Sequence, residues 1–148
     1  MADSNNDRAG SLASEPSPAL GQLNRLVGEW DITGPFLNGS ASFEWMEGGF
    51  FLIQRVDAGG GGRTIRGVEY IGFDEDTQTL RSHYMDIHGA NFTYTWEIDG
   101  DTLRIWFGGT DSDNFFVGCF APDGTSYSGE WQWPGGGYSS TIIRRSSS

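Results

Sequence analysis

The sequence contains no lysine. All nine basic side chains are arginine, set against 20 acidic ones, and the formal net charge is −11. A chain this acidic repels phosphate backbones and anionic lipid, so neither nucleic acid nor a membrane surface is an expected partner. Cysteine is almost as scarce. The single Cys119 rules out an internal disulfide, and its apolar neighbours Phe116, Val117 and Phe120 predict a buried, inert thiol. Histidine occurs twice, as His83 and His88, with no His-x-x-x-His and no cysteine pair, so a metal site is not expected. No apolar run approaches the ~18 residues that a membrane helix needs. The N-terminal region lacks a basic segment followed by an apolar one, which predicts no signal peptide and a cytoplasmic location.

Aromatic residues and glycine are plentiful. The 148 residues fit one domain. Aromatics make up 14% of the chain, with six Trp and ten Phe, and large rings supply much of the burial energy open to a small β domain. The 23 glycines fall between apolar stretches, as turn residues do.

Residues 1–18 are polar and carry two prolines, which predicts a disordered tail ahead of a domain at 19–145. Leu20, Leu23 and Leu26, spaced by three, predict a short helix able to close one end of a barrel. From Gly28 onward the period becomes two. Trp30 and Ile32 open the first alternating run, and Ala41, Phe43 and Trp45 follow. Phe92, Tyr94, Trp96 and Ile98 alternate with polar residues, as do Tyr127, Gly129, Trp131 and Trp133. Together with apolar runs at 50–56, 68–73, 80–87, 103–107, 115–120 and 138–145, these predict about ten strands. Turn signals separate the strands, among them Asn38-Gly39, Gly59 to Gly62 and Asp99-Gly100. Short connections favour sequential antiparallel neighbours. Ten such strands are best served by closure, which removes exposed edges. The expected fold is all-β, an antiparallel up-and-down barrel of about ten strands with a short N-terminal helix.

Gly28-Glu29-Trp30, after a short helical turn and at the start of the first strand, resembles the Gly-x-Trp motif of the lipocalin and calycin barrels. The resemblance implies that Trp30 packs across the closed end beneath an arginine of the last strand. Arg144 and Arg145 are the candidates, with Arg144 favoured by strand alternation. Four stretches in order are similar to a bacterial family of lipocalin-like domains of unknown function. They are Leu26-Val27-Gly28-Glu29-Trp30, Phe43-Glu44-Trp45-Met46-Glu47-Gly48-Gly49-Phe50, Tyr70-Ile71-Gly72-Phe73-Asp74 and His83-Tyr84-Met85-Asp86. The similarity spans roughly residues 20–145 and implies a fold but no activity. Nitrobindin-like haem barrels are a neighbouring family that also begins with Gly-x-Trp. Here Trp30 leads into Asp31-Ile32-Thr33-Gly34 and no histidine lies beyond position 88, which argues against haem, and no cofactor is expected.

The strand at 81–88 carries both histidines. Arg81, His83, Met85 and Ile87 share one face, and Ser82, Tyr84, Asp86 and His88 the other, with the inward face left open by the pattern. Asp86 and His88 are expected to hydrogen-bond around the Gly89-Ala90 turn. A buried His83 beside Tyr84 and Glu69 would serve as a general acid or base. There is no Gly-x-Ser-x-Gly elbow. Ser112-Asp113-Asn114 reads as a turn, and Gly59 to Gly62, without a lysine for a phosphate loop, reads as a flexible hairpin.

Trp45, Tyr94, Trp96, Trp131 and Trp133 fall on inward-reading faces. With Gln54, Arg55, Glu69, His83 and Tyr84 as polar groups, they would line a site for one small hydrophobic or aromatic molecule. Trp106 reads outward and marks a patch suited to a homodimer contact. The leading expectation is a binding barrel. Its alternatives are an isomerase or cyclase that uses His83, Tyr84 or Glu69 on a hydrophobic metabolite, and a filled barrel that serves as an interaction module.

Overall fold

A computed structural model describes residues 9–145. The first eight residues of the expected tail lie outside the described residues, and 9–17 form turns and bends without helix or strand.

Residues Pro18–Leu26 form a 3₁₀ helix. With three residues per turn, such a helix stacks positions i and i+3 on one side, which is why leucines spaced by three share a face. Leu20, Leu23 and Leu26 are all buried. Ser17 caps the helix by accepting from the Ala19 amide at 3.2 Å, and Pro18 costs nothing in the first turn, where an amide would lack a partner anyway.

Among the described residues ten strands follow: β1 (Gly28–Thr33), β2 (Asn38–Trp45), β3 (Leu52–Gly60), β4 (Arg63–Asp74), β5 (Thr79–Asp86), β6 (Asn91–Asp99), β7 (Thr102–Phe107), β8 (Phe115–Phe120), β9 (Ser126–Trp133) and β10 (Gly136–Arg144). Each pairs antiparallel with its neighbour in sequence, and β1 pairs with β10, so the sheet closes. The fold is therefore the expected one, an all-β, closed, antiparallel ten-stranded barrel with one short helix, consistent with a calycin-like architecture. The glycine run places β3 and β4 in a tight hairpin. Gly60 pairs with Arg63, and the two turn residues Gly61 and Gly62 have φ of 58° and 80°, the left-handed values a two-residue hairpin demands.

The helix plugs one end together with Trp30, Tyr127, Arg144 and Trp45. Trp30 has no exposed surface, and its indole N–H donates to the Leu26 carbonyl at 2.8 Å. Tyr127 meets it edge-on at 5.2 Å between ring centroids. The Arg144 guanidinium lies 4.2 Å from the Trp30 ring centroid. Such a stack contributes about 0.5–2 kcal/mol. Arg144 also donates to the carbonyls of Val27 (2.6 Å), Arg25 (2.7 Å) and Gly124 (3.4 Å), satisfying the end of the helix. Gly28 has φ of 129°, and a Cβ there would stand 2.7 Å from Arg144 Nη1. The Gly-x-Trp spacing thus has a steric cause: the glycine leaves room for the guanidinium that covers the tryptophan two residues on. Trp45 closes the same end from β2, its indole N–H donating to Asn24 Oδ1 at 2.8 Å.

Cys119 does not have the expected surroundings. Phe116, Gly118 and Phe120 are the inward residues of β8, and Cys119, of opposite parity, is exposed on the outer face. Trp106 is outward and half-buried. Among the described residues no helix is long and apolar enough to cross a membrane.

The plug generates a stability prediction. Arg144→Met removes every donor and orphans the carbonyls it served, and should lower unfolding free energy by roughly 2–4 kcal/mol. Gly28→Ala, strained at its φ and crowding the guanidinium, should cost about 1–3 kcal/mol. Urea unfolding followed by tryptophan fluorescence checks both, as a lower midpoint at unchanged slope.

Candidate functional site

Above the plug the barrel is hollow. A cavity of about 430 Å³ runs from the middle of the barrel toward the end opposite the helix. Closure of ten strands explains the space, because barrel diameter grows with strand number and side chains alone no longer fill the middle. The walls are largely apolar and aromatic, with Ile32, Val56, Phe92, Tyr94, Trp96, Phe116, Trp131 and Ile142 among them. At the far rim Phe36 packs on Tyr138 at 5.3 Å between centroids, and Trp133 on Tyr138 at 6.0 Å.

A short polar row crosses this wall. Gln54 on β3 pairs with Glu69 on β4, and Glu69 with Tyr84 on β5, so three polar side chains of the inner face sit side by side. Glu69 is buried, 8% exposed. The Ser82 hydroxyl donates to its Oε2 at 2.5 Å, and the Trp96 indole N–H donates in turn to Ser82 Oγ at 2.9 Å. Burial pushes the Glu69 carboxyl from 4.5 to about 7. The Ser82 hydroxyl and, more weakly, the nearby Trp96 indole oppose that rise. Among the described residues no ion pair reaches it. Tyr84 donates its phenolic proton to Asp86 Oδ2 at 3.0 Å, and burial followed by the Asp86 carboxylate raises the Tyr84 pKa. Asp86 behaves oppositely to Glu69. Burial would raise its pKa, but the Ala90 and His88 amides and the Tyr84 hydroxyl outweigh that and hold it below the ordinary range.

The residues singled out from the sequence divide into three groups. Gln54, Glu69, Tyr84, Tyr94, Trp96 and Trp131 come together on the cavity wall. Trp45 and Trp133 point inward by parity but lie elsewhere: Trp45 belongs to the plug, and Trp133 sits at the rim, 40% exposed. His83 and Arg55 are outside the barrel. Leu80, Ser82 and Tyr84 are the inward residues of β5, which turns His83 outward, where it is exposed and hydrogen-bonded to Asn91. Arg55 pairs with Glu44 at 2.6 Å on the surface. Neither lines the cavity, and the expectation of a buried His83 beside Tyr84 and Glu69 is corrected. His88 donates its amide to Asp86 around the turn, as expected, and its ring meets the Thr64 carbonyl at 3.0 Å. Among the described residues no three of His, Cys, Asp and Glu converge as a metal ion would require.

Several wall residues carried no signal. Ser82 is a single hydroxyl in an alternating strand, and its role follows only from its register opposite Ile71 and Tyr94. Tyr138 and Arg63 reach the cavity because the β9–β10 and β3–β4 hairpins open at the same end.

A second hollow, about 810 Å³ and open to solvent, lies outside the barrel over β2–β5 and holds Arg55, Arg66, Tyr70 and Met85. It shares none of the polar row and reads as the concave outer surface of a twisted sheet.

No family model matches the chain. No curated protein matches it either.

The raised pKa of Glu69 makes stability depend on pH in a definite direction. Between pH 4.5 and about 7 the folded state holds a proton that the unfolded state has lost, so this group's contribution falls as pH rises through that window and is flat above it. The shift corresponds to roughly 3 kcal/mol. Glu69→Gln should therefore gain stability over the wild type progressively from pH 4.5 to 7, in denaturant titrations at each pH. A difference independent of pH would count against the buried carboxyl.

Proposed function

We propose that the protein binds a small, largely apolar or aromatic molecule inside the barrel. The cavity of about 430 Å³ carries this reading: it opens at one end, and its walls are mainly apolar with a few clustered polar groups. The plugged end holds the barrel in shape, so the site is formed before a ligand arrives and little ordering entropy opposes binding. Gln54, Glu69 and Tyr84 fix orientation, and Tyr94, Trp96 and Trp131 supply contact area. The interaction-module alternative is less well supported, because a filled barrel would leave no such space.

A second reading, an isomerase or cyclase acting in the same cavity, is favoured by one observation. Glu69 titrates near neutrality beside Tyr84 and faces the space a substrate would occupy. A general acid or base works best with a pKa near the operating pH. A homodimer through the outward Trp106 belongs to the same proposal.

Native mass spectrometry of protein purified from its own host, compared with the denatured sample, should reveal a retained small molecule. Ser140 lines the wall and is 9% exposed. Ser140→Phe should fill the space and weaken quenching of tryptophan fluorescence by apolar aromatics about tenfold or more, while the unfolding midpoint changes little. Quenching that is unchanged by Ser140→Phe would place the bound molecule outside the barrel.

A further inference from the structure

We propose that the cavity selects a ligand bearing a protonated amine on an aromatic or apolar body, with the ammonium seated against Glu69, Tyr84 and Gln54. The proposal rests on the barrel being a binding site and names the chemistry of what it binds.

Among the described residues the cavity wall carries two carboxylates, Glu69 and Asp86, and no cation stands beside Glu69. Glu69 is more than nine-tenths buried, and the donors around it are neutral: the Ser82 hydroxyl and, more weakly, the Trp96 indole N–H. Arg63 is the one basic residue on the cavity wall among those described, and it stands at the rim. Arg63 and Glu69 lie six residues apart on the same strand, which puts ~20 Å between them. A buried carboxylate so isolated is costly unless protonated or paired. A ligand ammonium would pair it.

The neighbours of Glu69 are suited to a donor-rich group. Tyr84 spends its proton on Asp86, which leaves its oxygen, on the strand next to Glu69, able only to accept. The Gln54 amide can turn its oxygen toward the same point. An ammonium has three donors and no acceptor, and carboxylate, phenol oxygen and amide oxygen match it. Tyr94, Trp96 and Trp131 surround the row with π-faces, which attract cations and accept an apolar body. A ligand carboxylate would meet repulsion here, and a neutral carbonyl would find few donors.

The pH dependence follows with its sign. Tyr84, Tyr94 and Tyr127 face Glu69 from β5, β6 and β9, and burial raises all three above the ordinary tyrosine value. Asp86 is held below its ordinary range. Glu69 is then the group on this wall that titrates between pH 6 and 8. An ammonium binds its ionised form, so affinity rises with pH through about 7 and levels above it.

Isothermal titration calorimetry on the full chain, with 2-(aminomethyl)naphthalene, 2-naphthalenemethanol and 2-naphthoic acid at pH 6, 7 and 8, tests this. The amine should bind about tenfold or more tighter than the alcohol at pH 8, and its advantage should shrink at pH 6. Glu69→Gln should bring the amine down to the alcohol and flatten the pH profile, with alcohol affinity kept as proof of an intact cavity. An alcohol that matches or exceeds the amine in the wild type overturns the ammonium site while leaving the cavity reading in place. Amine affinity that falls as pH rises, or a preference that survives Glu69→Gln, also overturns it. Failure of all three compounds to bind defeats the binding reading, and this proposal with it.

Discussion

The pairing of β1 with β10 is the constraint on which the rest depends. Nine of the ten ladders join neighbours in sequence and could form locally, but this one joins Trp30 to Arg144 across almost the whole domain. Without it the sheet would have two free edges and no enclosed space. The chain spends its most specific chemistry there. A guanidinium covers an indole and takes up carbonyls from the helix end and from the β8–β9 turn, which ties helix, first strand and last strand together. The small residue at Gly28 is part of the same device, because a Cβ there would crowd the guanidinium.

Beyond the plug the balance shifts from packing to vacancy. Leucine, phenylalanine and tryptophan fill the lower barrel to the point where Trp30, Leu23, Leu52 and Ile71 have essentially no exposed surface. Higher up, aromatic rings line the wall around an open space, with Tyr94 on β6 and Trp131 on β9 meeting edge-on at 6.0 Å between centroids. A domain selected for stability alone would fill that volume and would replace Glu69 with an apolar residue, since a lone buried carboxyl works against folding at neutral pH. Empty space and an isolated acid occur at the same place, and local costs of this kind concentrate where function resides.

Much of the fold was legible because alternation with period two survives in nearly every strand, and because the glycine run at 59–62 and Asp99-Gly100 punctuate them; Asn38-Gly39, read as a turn, instead opens β2, and the β1–β2 connection lies at 34–37. The resemblance around Gly28-Glu29-Trp30 pointed to an arginine of the last strand, and strand alternation favoured Arg144, which covers Trp30, over Arg145, whose side chain pairs with Asp31 on the surface. The site was half legible. Alternation tells which residues share a face, but not which face is inner, when both carry apolar residues. Along β5 and the residue after it, Leu80 and Tyr84 compete with Met85 and Ile87, and the choice is made by partners on β4 and β6. That is why His83 lay outside and Ser82 inside. Arg55 failed for the same reason, one step from Gln54. Trp133 had the right parity but too great a height, because parity carries no information about depth. Cys119 sat among phenylalanines whose parity was opposite to its own.

The ring also has a topological consequence. The entering end of β1 and the leaving end of β10 lie side by side, for the Arg145 amide donates to the Glu29 carbonyl at 2.9 Å. Five of the nine strand connections lie at the open end, remote from this seam and from the plug. In such a ring the starting strand is a matter of bookkeeping. A chain joined across the seam and opened at the Gly61-Gly62 turn keeps every ladder except that one hairpin's covalent link. The architecture is thus cyclic in contacts though linear in sequence, and its open rim is free to vary in length and composition while the barrel wall stays the same.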